Sequence, residues 1–239
     1  MSKSYAEPGP SSRGNGSQTS GDKPEAINNK TDNLDLTDPN EPTGKHKHTF
    51  SFDEGINIAT HNIRGLSRVE KVQEWIEFCT EANIHIIALS ETKLTPNRVK
   101  GLTNPIYGIY TSNFEPYKAN QRESSLGAAL MICNGLQPYI HNVKTIPGTL
   151  IMIDLFFPHN NKTRIISIYL PSNHPSLNKK AQDEADRWIR EAKSRNWKLF
   201  LMGDFNSNQH KNKPPPIFKN LNTLGATSLL DFHSITSHT

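Results

Sequence analysis

The sequence predicts an α/β fold in which sheets are stacked and covered by helices, and three features carry that prediction. Apolar runs of strand length alternate with two stretches of 3.6-residue periodicity. The first periodic stretch stands between two strands, from Ile56 to Leu89, and the second leads directly into a strand at Lys198–Met202. No internal repeat interrupts this order.

Met1 to about His48 is rich in Ser, Gly, Pro, Asn, Asp and Lys and lacks any apolar pattern that would offset the entropy of ordering it. Residues 1–50 are therefore expected to form a disordered polar tail, and residues 51–239 the folded domain. Ile56-Asn57-Ile58-Ala59-Thr60-His61 is the first strand. Ser67 to about Ala82 is a helix by the stripe Val69, Val72, Trp75, Ile76 and Cys79, with Ser67 and Glu70 spaced as a capping box. Ile84–Ser90 is the next strand. Ser125–Cys133 and Thr149–Phe157 follow, broken by Asn134-Gly135 and by Pro158-His159-Asn160-Asn161, and then comes Arg164–Ile168. Leu177, Ala181, Ala185, Trp188, Ile189 and Ala192 mark a second helix, with Ser176 as its cap and Asn196 suited to the left-handed position at its end. Beyond the strand at Lys198–Met202, Lys213-Pro214-Pro215-Pro216 reads as a surface loop.

The chain carries 27 Lys and Arg against 23 Asp and Glu, a net charge of +4. Six basic and seven acidic residues lie between Met1 and Phe50, so about +5 falls on the folded part and favours a polyanionic partner. No apolar run reaches the roughly twenty residues of a membrane helix, and the N-terminus lacks a secretory apolar core. A soluble intracellular protein, nuclear or cytoplasmic, is expected, without a membrane contact or an obligate protein partner. Cys79 and Cys133 are the only cysteines and are expected as buried thiols, so neither a disulfide framework nor a zinc site is suggested. The glycines form no phosphate-binding loop, and the histidines have no ligand-like spacing. Lys45-His46-Lys47-His48 is a solvated basic patch.

Chemistry gathers at strand ends. Four strands deliver Asn62, Glu91, Tyr169 and the pair Asp204/Asn206, groups suited to a hard cation and a phosphate. Glu91 follows the apolar Ile86-Ile87-Ala88-Leu89-Ser90 and is the candidate metal ligand, because a carboxylate there needs water, a partner or a cation. Mg²⁺ takes few carboxylates and keeps several waters, so one Glu helped by the amide oxygen of Asn62 suffices; Mn²⁺ could replace it. Asp204 and Asn206, two apart on an extended segment, would face the same way.

Asn62-Ile63-Arg64-Gly65, Leu89-Ser90-Glu91-Thr92-Lys93, Gly127 before Ala128-Ala129-Leu130, Tyr169-Leu170-Pro171 and Gly203-Asp204-Phe205-Asn206 stand in the order of motifs known elsewhere. With them the chain from about Phe52 onward resembles the endonuclease/exonuclease/phosphatase superfamily, and within it the endonucleases of LINE-type retrotransposons. The resemblance implies a DNase I-like four-layer α/β sandwich and a Mg²⁺-dependent phosphodiesterase acting on DNA. It implies Glu91 and Asn62 as metal ligands and Asp204 as general base. Asn206 would orient the water or bind the scissile phosphate, Tyr169 would donate to a phosphate oxygen, and Arg64 would contact the nucleic-acid backbone. The family closes its domain with an Asp that orients a histidine and with a Ser-Asp-His motif, whereas this sequence reaches Ser237-His238-Thr239 without either. The expectation is an incomplete C-terminal part with an unpaired apolar edge on the second sheet. The alternative function is a truncated, catalytically inactive fragment that binds phosphate or nucleic acid weakly.

Overall fold

A computed structural model describes residues 55–66, 68–94, 104–112, 126–207 and 214–228, all within one compact unit, Gly44–Thr239. The expected tail, the capping Ser67 and residues 229–239 lie outside the described residues.

The elements in chain order are β1 (Ile58–Asn62), α1 (Val69–Glu81), β2 (Ile86–Ser90), β3 (Tyr107–Thr111), β4 (Ala128–Cys133) and a 3-10 turn at Asn134–Tyr139. β5 (Ile140–Ile146), β6 (Leu150–Phe157), β7 (Asn161–Tyr169), α2 (Pro175–Ser194), β8 (Lys198–Asp204) and α3 (Pro216–Thr223) follow. The first sheet has the order β1-β2-β4-β3 and the second β5-β6-β7-β8. Among the described strands only β1/β2 and β7/β8 are parallel, and each needs a crossover, which α1 and α2 supply. Both parallel pairs lie at an end of their sheet, so β1 and β8 carry Asn62 and Asp204 on edge strands.

The period-two pattern of β6 shows how the layers stack. Ile151, Ile153 and Leu155 join the core shared with the first sheet, while Leu150 and Met152 join Ile166, Ile168 and the α2 residues Ala181, Ala185, Trp188 and Ile189. All five residues of β2 are buried, because the second sheet covers one face and Val72, Ile76 and Cys79 of α1 join the same cluster. The layers run α1, first sheet, second sheet, α2, which is the α/β sandwich expected from the sequence.

Both cysteines are buried, and burial pushes the Cys79 thiol up to about 11. Arg164 is only 1% exposed and is held by two bonds to Asp154 (2.7 and 3.0 Å), by the Trp188 carbonyl (2.8 Å) and by Glu191 (3.0 Å). A buried guanidinium requires such pairing, and here the pairing ties α2 to β6 and β7.

Several local expectations are corrected. Val69 is 64% exposed at the start of α1, so the buried stripe is Val72, Ile76 and Cys79 with Trp75 half-buried. Ser176 does not cap α2: the N-cap is His174, with Pro175 at the first helical position, where its missing N–H costs nothing. Pro216 begins α3 for the same reason instead of remaining in a loop. Asn196 does take the left-handed position at φ 55°, with Asn196 N–H on Lys193 O and Trp197 N–H on Ala192 O closing the end of α2. His159 and Asn160 have φ 58° and 60°, the primed-turn pattern that joins β6 to β7.

Candidate active site

β1 and β8 reach the same end of the sandwich from opposite sheets. Their last residues meet: Asn62 Nδ2 donates to Asp204 Oδ2 at 2.8 Å, across 142 residues of chain, and to Glu91 Oε1 at 3.0 Å. Two carboxylates from two sheets therefore converge on one amide nitrogen.

The same device shapes both strand ends. Asn62 Oδ1 accepts the Arg64 N–H at 3.2 Å, and Asp204 Oδ1 accepts the Asn206 N–H at 2.8 Å. Each is an Asx turn, in which a side-chain oxygen stands in for a backbone carbonyl and bends the chain off the strand. The third residue is left-handed in both, at φ 52° for Arg64 and 46° for Asn206. This corrects the extended Asp204/Asn206 geometry expected from spacing: Asn206 turns back, and its Nδ2 donates to Leu170 O at 2.9 Å.

Backbone strain concentrates here. Among the described residues the non-glycine positions with positive φ are Asn83, His159, Asn160, Asn196 and Asn206, types that tolerate it, and Arg64, Glu91 and Lys93, which do not. All three of the latter stand in the strand-end turns around the two carboxylates. Such conformations persist only where neighbours hold them. Ile63 N–H binds Ser90 O at 3.1 Å and Leu66 N–H binds Thr92 O at 2.8 Å, zipping the two turns together. Gly127 receives Thr92 N–H at 3.1 Å, and a Cβ on it would stand 2.2 Å from Thr92 Oγ1. Gly203, at φ 129°, lets β8 lie against β7, since its Cβ would be 2.0 Å from Ile168 O.

Asn62, Glu91 and Asp204 are half-buried, while Arg64 and Asn206 are exposed. Tyr169 pairs in register with Asp204, but its residue is only 3% exposed and belongs to the core between the sheets. His61 points away from the cluster onto Trp75, 4.4 Å between ring centroids; burial, then Lys71 and Arg64, hold its imidazole below the ordinary histidine range. Ser90, paired with Asn62 in the parallel register, is 1% exposed, and its Oγ has no hydrogen-bond partner.

The donor set suits a hard cation. It consists of carboxylate and amide oxygens, and among the described residues no group of three or more His, Cys, Asp or Glu is gathered as a softer metal would require. Asn62 differs in one respect from the expectation: its oxygen faces Arg64 N–H, and its NH₂ faces the carboxylates. Two converging carboxylates need a positive partner, which the NH₂ supplies here; a cation in its place requires the carboxamide to turn its oxygen inward.

The sequence reading named Asn62, Arg64, Glu91, Tyr169, Asp204 and Asn206 as site residues, while Ser90, Lys93 and Gly203 stood in its motifs without a role. Gly203 could have been found as a glycine inside a strand, which marks close backbone approach. Nothing in the sequence distinguishes Ser90 from any strand serine.

The chain is similar in fold to the catalytic domain of Xenopus laevis APE2, at TM-score 0.49 and 16% identity over 70% of this chain and 66% of that one. D. rerio TDP2 complexed with a single-strand DNA product gives 0.46 and 12% over 73% of this chain and 66% of that one. The AP endonuclease LMAP from Leishmania major gives 0.44 and 15% over 64% and 55%. The chain thus spans about 66% of the length of the first two. No curated protein matches the sequence. The family described as Endonuclease/Exonuclease/phosphatase matches residues 59–228, from within β1 to beyond α3. Because that span takes in both sheets and both Asx turns, the chain belongs to the endonuclease/exonuclease/phosphatase family.

Proposed function

We propose that this chain is a Mg²⁺- or Mn²⁺-dependent phosphodiester hydrolase acting on DNA, an endonuclease of the LINE-retrotransposon type. The observation that carries the reading is the meeting of Glu91 and Asp204 at Asn62 across two sheets. Nucleases of this family generally use divalent metal ions, and the oxygen-only donor set fits one. The motifs Asn62-Ile63-Arg64-Gly65 and Ser90-Glu91-Thr92-Lys93, together with the basic surplus, support the DNA and retrotransposon parts.

In this reading Glu91 and, once its carboxamide turns, the oxygen of Asn62 would hold the cation, whose charge would polarise the scissile phosphate. Asp204 takes the proton of the attacking water. Its Asx-turn bond from the Asn206 N–H fixes the direction of the carboxylate, which is what a general base needs first. Asn206, anchored to Leu170 O, presents the rest of its amide to the water or the phosphate. Tyr169, in register with Asp204 but buried between the sheets, would have to turn its phenol toward the site to donate to a phosphate oxygen, and exposed Arg64 would contact the backbone of the strand.

Calorimetry with Mn²⁺ and a supercoiled-plasmid nicking assay test this on residues 1–239. Glu91→Gln should abolish metal binding, and Asp204→Asn should slow nicking about 10²- to 10⁴-fold. Equal Mn²⁺ affinity in wild type and Glu91→Gln, or nicking indifferent to Asp204→Asn, would refute it. Binding of Mn²⁺ and DNA without nicking would favour the second reading, a fragment that binds but does not cut.

A further inference from the structure

Among the described residues, Ser90 carries the one side-chain hydroxyl that is buried and left without a partner, at the strand end that leads into Glu91. Its place is defined by register. Ser90 is the Cα partner of Asn62 in the parallel pair, so both side chains leave the sheet on the same face, towards the second sheet. It is also the partner of Ala128 on its other side and directly precedes Glu91, whose φ of 55° swings the carboxylate off the strand end. Small side chains surround it: Ala88 lies two residues earlier on the same face, Ala128 beside it, and Ser167, itself buried, has its Oγ 3.5 Å from Leu89 O on the sheet opposite.

An alcohol buried without a bond costs free energy, because it has lost its water and gained nothing. Every other polar group of the cluster is bonded: the Asn62 amide at both ends, Asp204 through both oxygens, Glu91 through Oε1 and Asn206 through its amide. An orphan among satisfied neighbours calls for an explanation, a bound water or ion among them. We infer that Ser90 is a positioning residue of the cation site, its hydroxyl hydrogen-bonding the hydrated divalent ion held by Glu91 and Asn62. This rests on the metal-site reading above. It assigns a role to a residue that neither touches the phosphate nor carries charge, and it explains why an otherwise apolar strand ends in serine.

Ser90→Ala separates this from a structural role by the sign of two measurements on residues 1–239. In EDTA the variant should melt at the wild-type temperature or above it, since the deletion removes an unsatisfied group. Its Mn²⁺ affinity by calorimetry should fall about tenfold, the range for groups that support metal ligands. Ser90→Thr, which keeps the hydroxyl, should retain more of the affinity than Ser90→Ala. A lower melting temperature of Ser90→Ala in EDTA would show that the hydroxyl has a partner within the protein and overturn the inference. So would unchanged Mn²⁺ affinity, which is the result expected if an ordinary buried water satisfies Ser90. Wild type that binds no Mn²⁺, or binds it equally as Glu91→Gln, would sink the metal site itself and the inference with it; wild type that loses binding in Glu91→Gln but not in Ser90→Ala would sink the inference alone.

Discussion

Asn62 and Asp204 each use one side-chain oxygen to cap the N–H two residues ahead, and this leaves the other side-chain atom directed at the partner sheet. The spacing of Asn-x-Arg and Asp-x-Asn is thus a conformational requirement as well as a chemical one. Glycine serves the same end at Gly203, where no side chain fits against Ile168 O. Gly203→Ala should cost about 2–4 kcal/mol through strain and overlap together. Gly225→Ala is the control, since φ there is also positive, at 70°, but no atom lies within 4 Å of an added Cβ. It should cost about 1–2 kcal/mol, the backbone strain alone. Urea midpoints compare the two, and equal losses would show that the Ile168 contact is not what requires glycine at Gly203.

At the scale of elements, the two crossover helices decide where chemistry can occur. A parallel pair cannot be closed by a hairpin, so α1 and α2 bring β2 and β8 back in the same direction as β1 and β7, and all four strands end together. α2 is held to its sheet by Arg164, whose charge is buried against Asp154. Asp154→Ala should destabilise the domain by about 3–5 kcal/mol, because it strands that guanidinium. The pair of changes Asp154→Leu with Arg164→Met should cost distinctly less than either charge removal alone. Glu191→Gln should matter little, as Glu191 is 30% exposed and an exposed charge is screened by solvent. Denaturant melts of these variants, with Asp154→Leu and Arg164→Met also made singly, check this, and additive losses would contradict a coupled buried pair.

Over the whole molecule, the surplus of basic residues sets how a polyanion is met. With 27 basic against 23 acidic residues the surplus is modest, so phosphate contacts should come from a local set that includes Arg64. Binding of a DNA duplex in EDTA should weaken steeply between 50 and 200 mM salt, with a slope near one per phosphate contact, as counterion release requires. Arg64→Ala should reduce that slope by about one. Fluorescence anisotropy across the salt series reads both, and a slope unchanged by Arg64→Ala would remove that residue from the interface.

The sequence by itself determined the residue types that need only local physics: the apolar periods of α1, α2, β2, β6 and β8, the left-handed Asn196, the buried thiols, and the polar groups that end four strands. Tertiary structure alone decided the rest. β3 and β5 escaped the sequence reading because Tyr107–Thr111 contains Gly108 and Ile140–Ile146 is polar on its exposed face, so pairing with β4 and β6, not intrinsic pattern, makes them strands. Val69 looked like core because periodicity reports a face and not where a helix meets its sheet. The candidate site divides in the same way. Asn62, Glu91, Asp204 and Asn206 could be named from the chain, but the bond between Asn62 and Asp204 spans 142 residues and exists only because two edge strands of different sheets stop at one end of the sandwich. Ser90 became distinct for the opposite reason, by what the fold fails to give it: a hydroxyl is ordinary in a sequence, and its want of a partner arises only when its neighbours are in place.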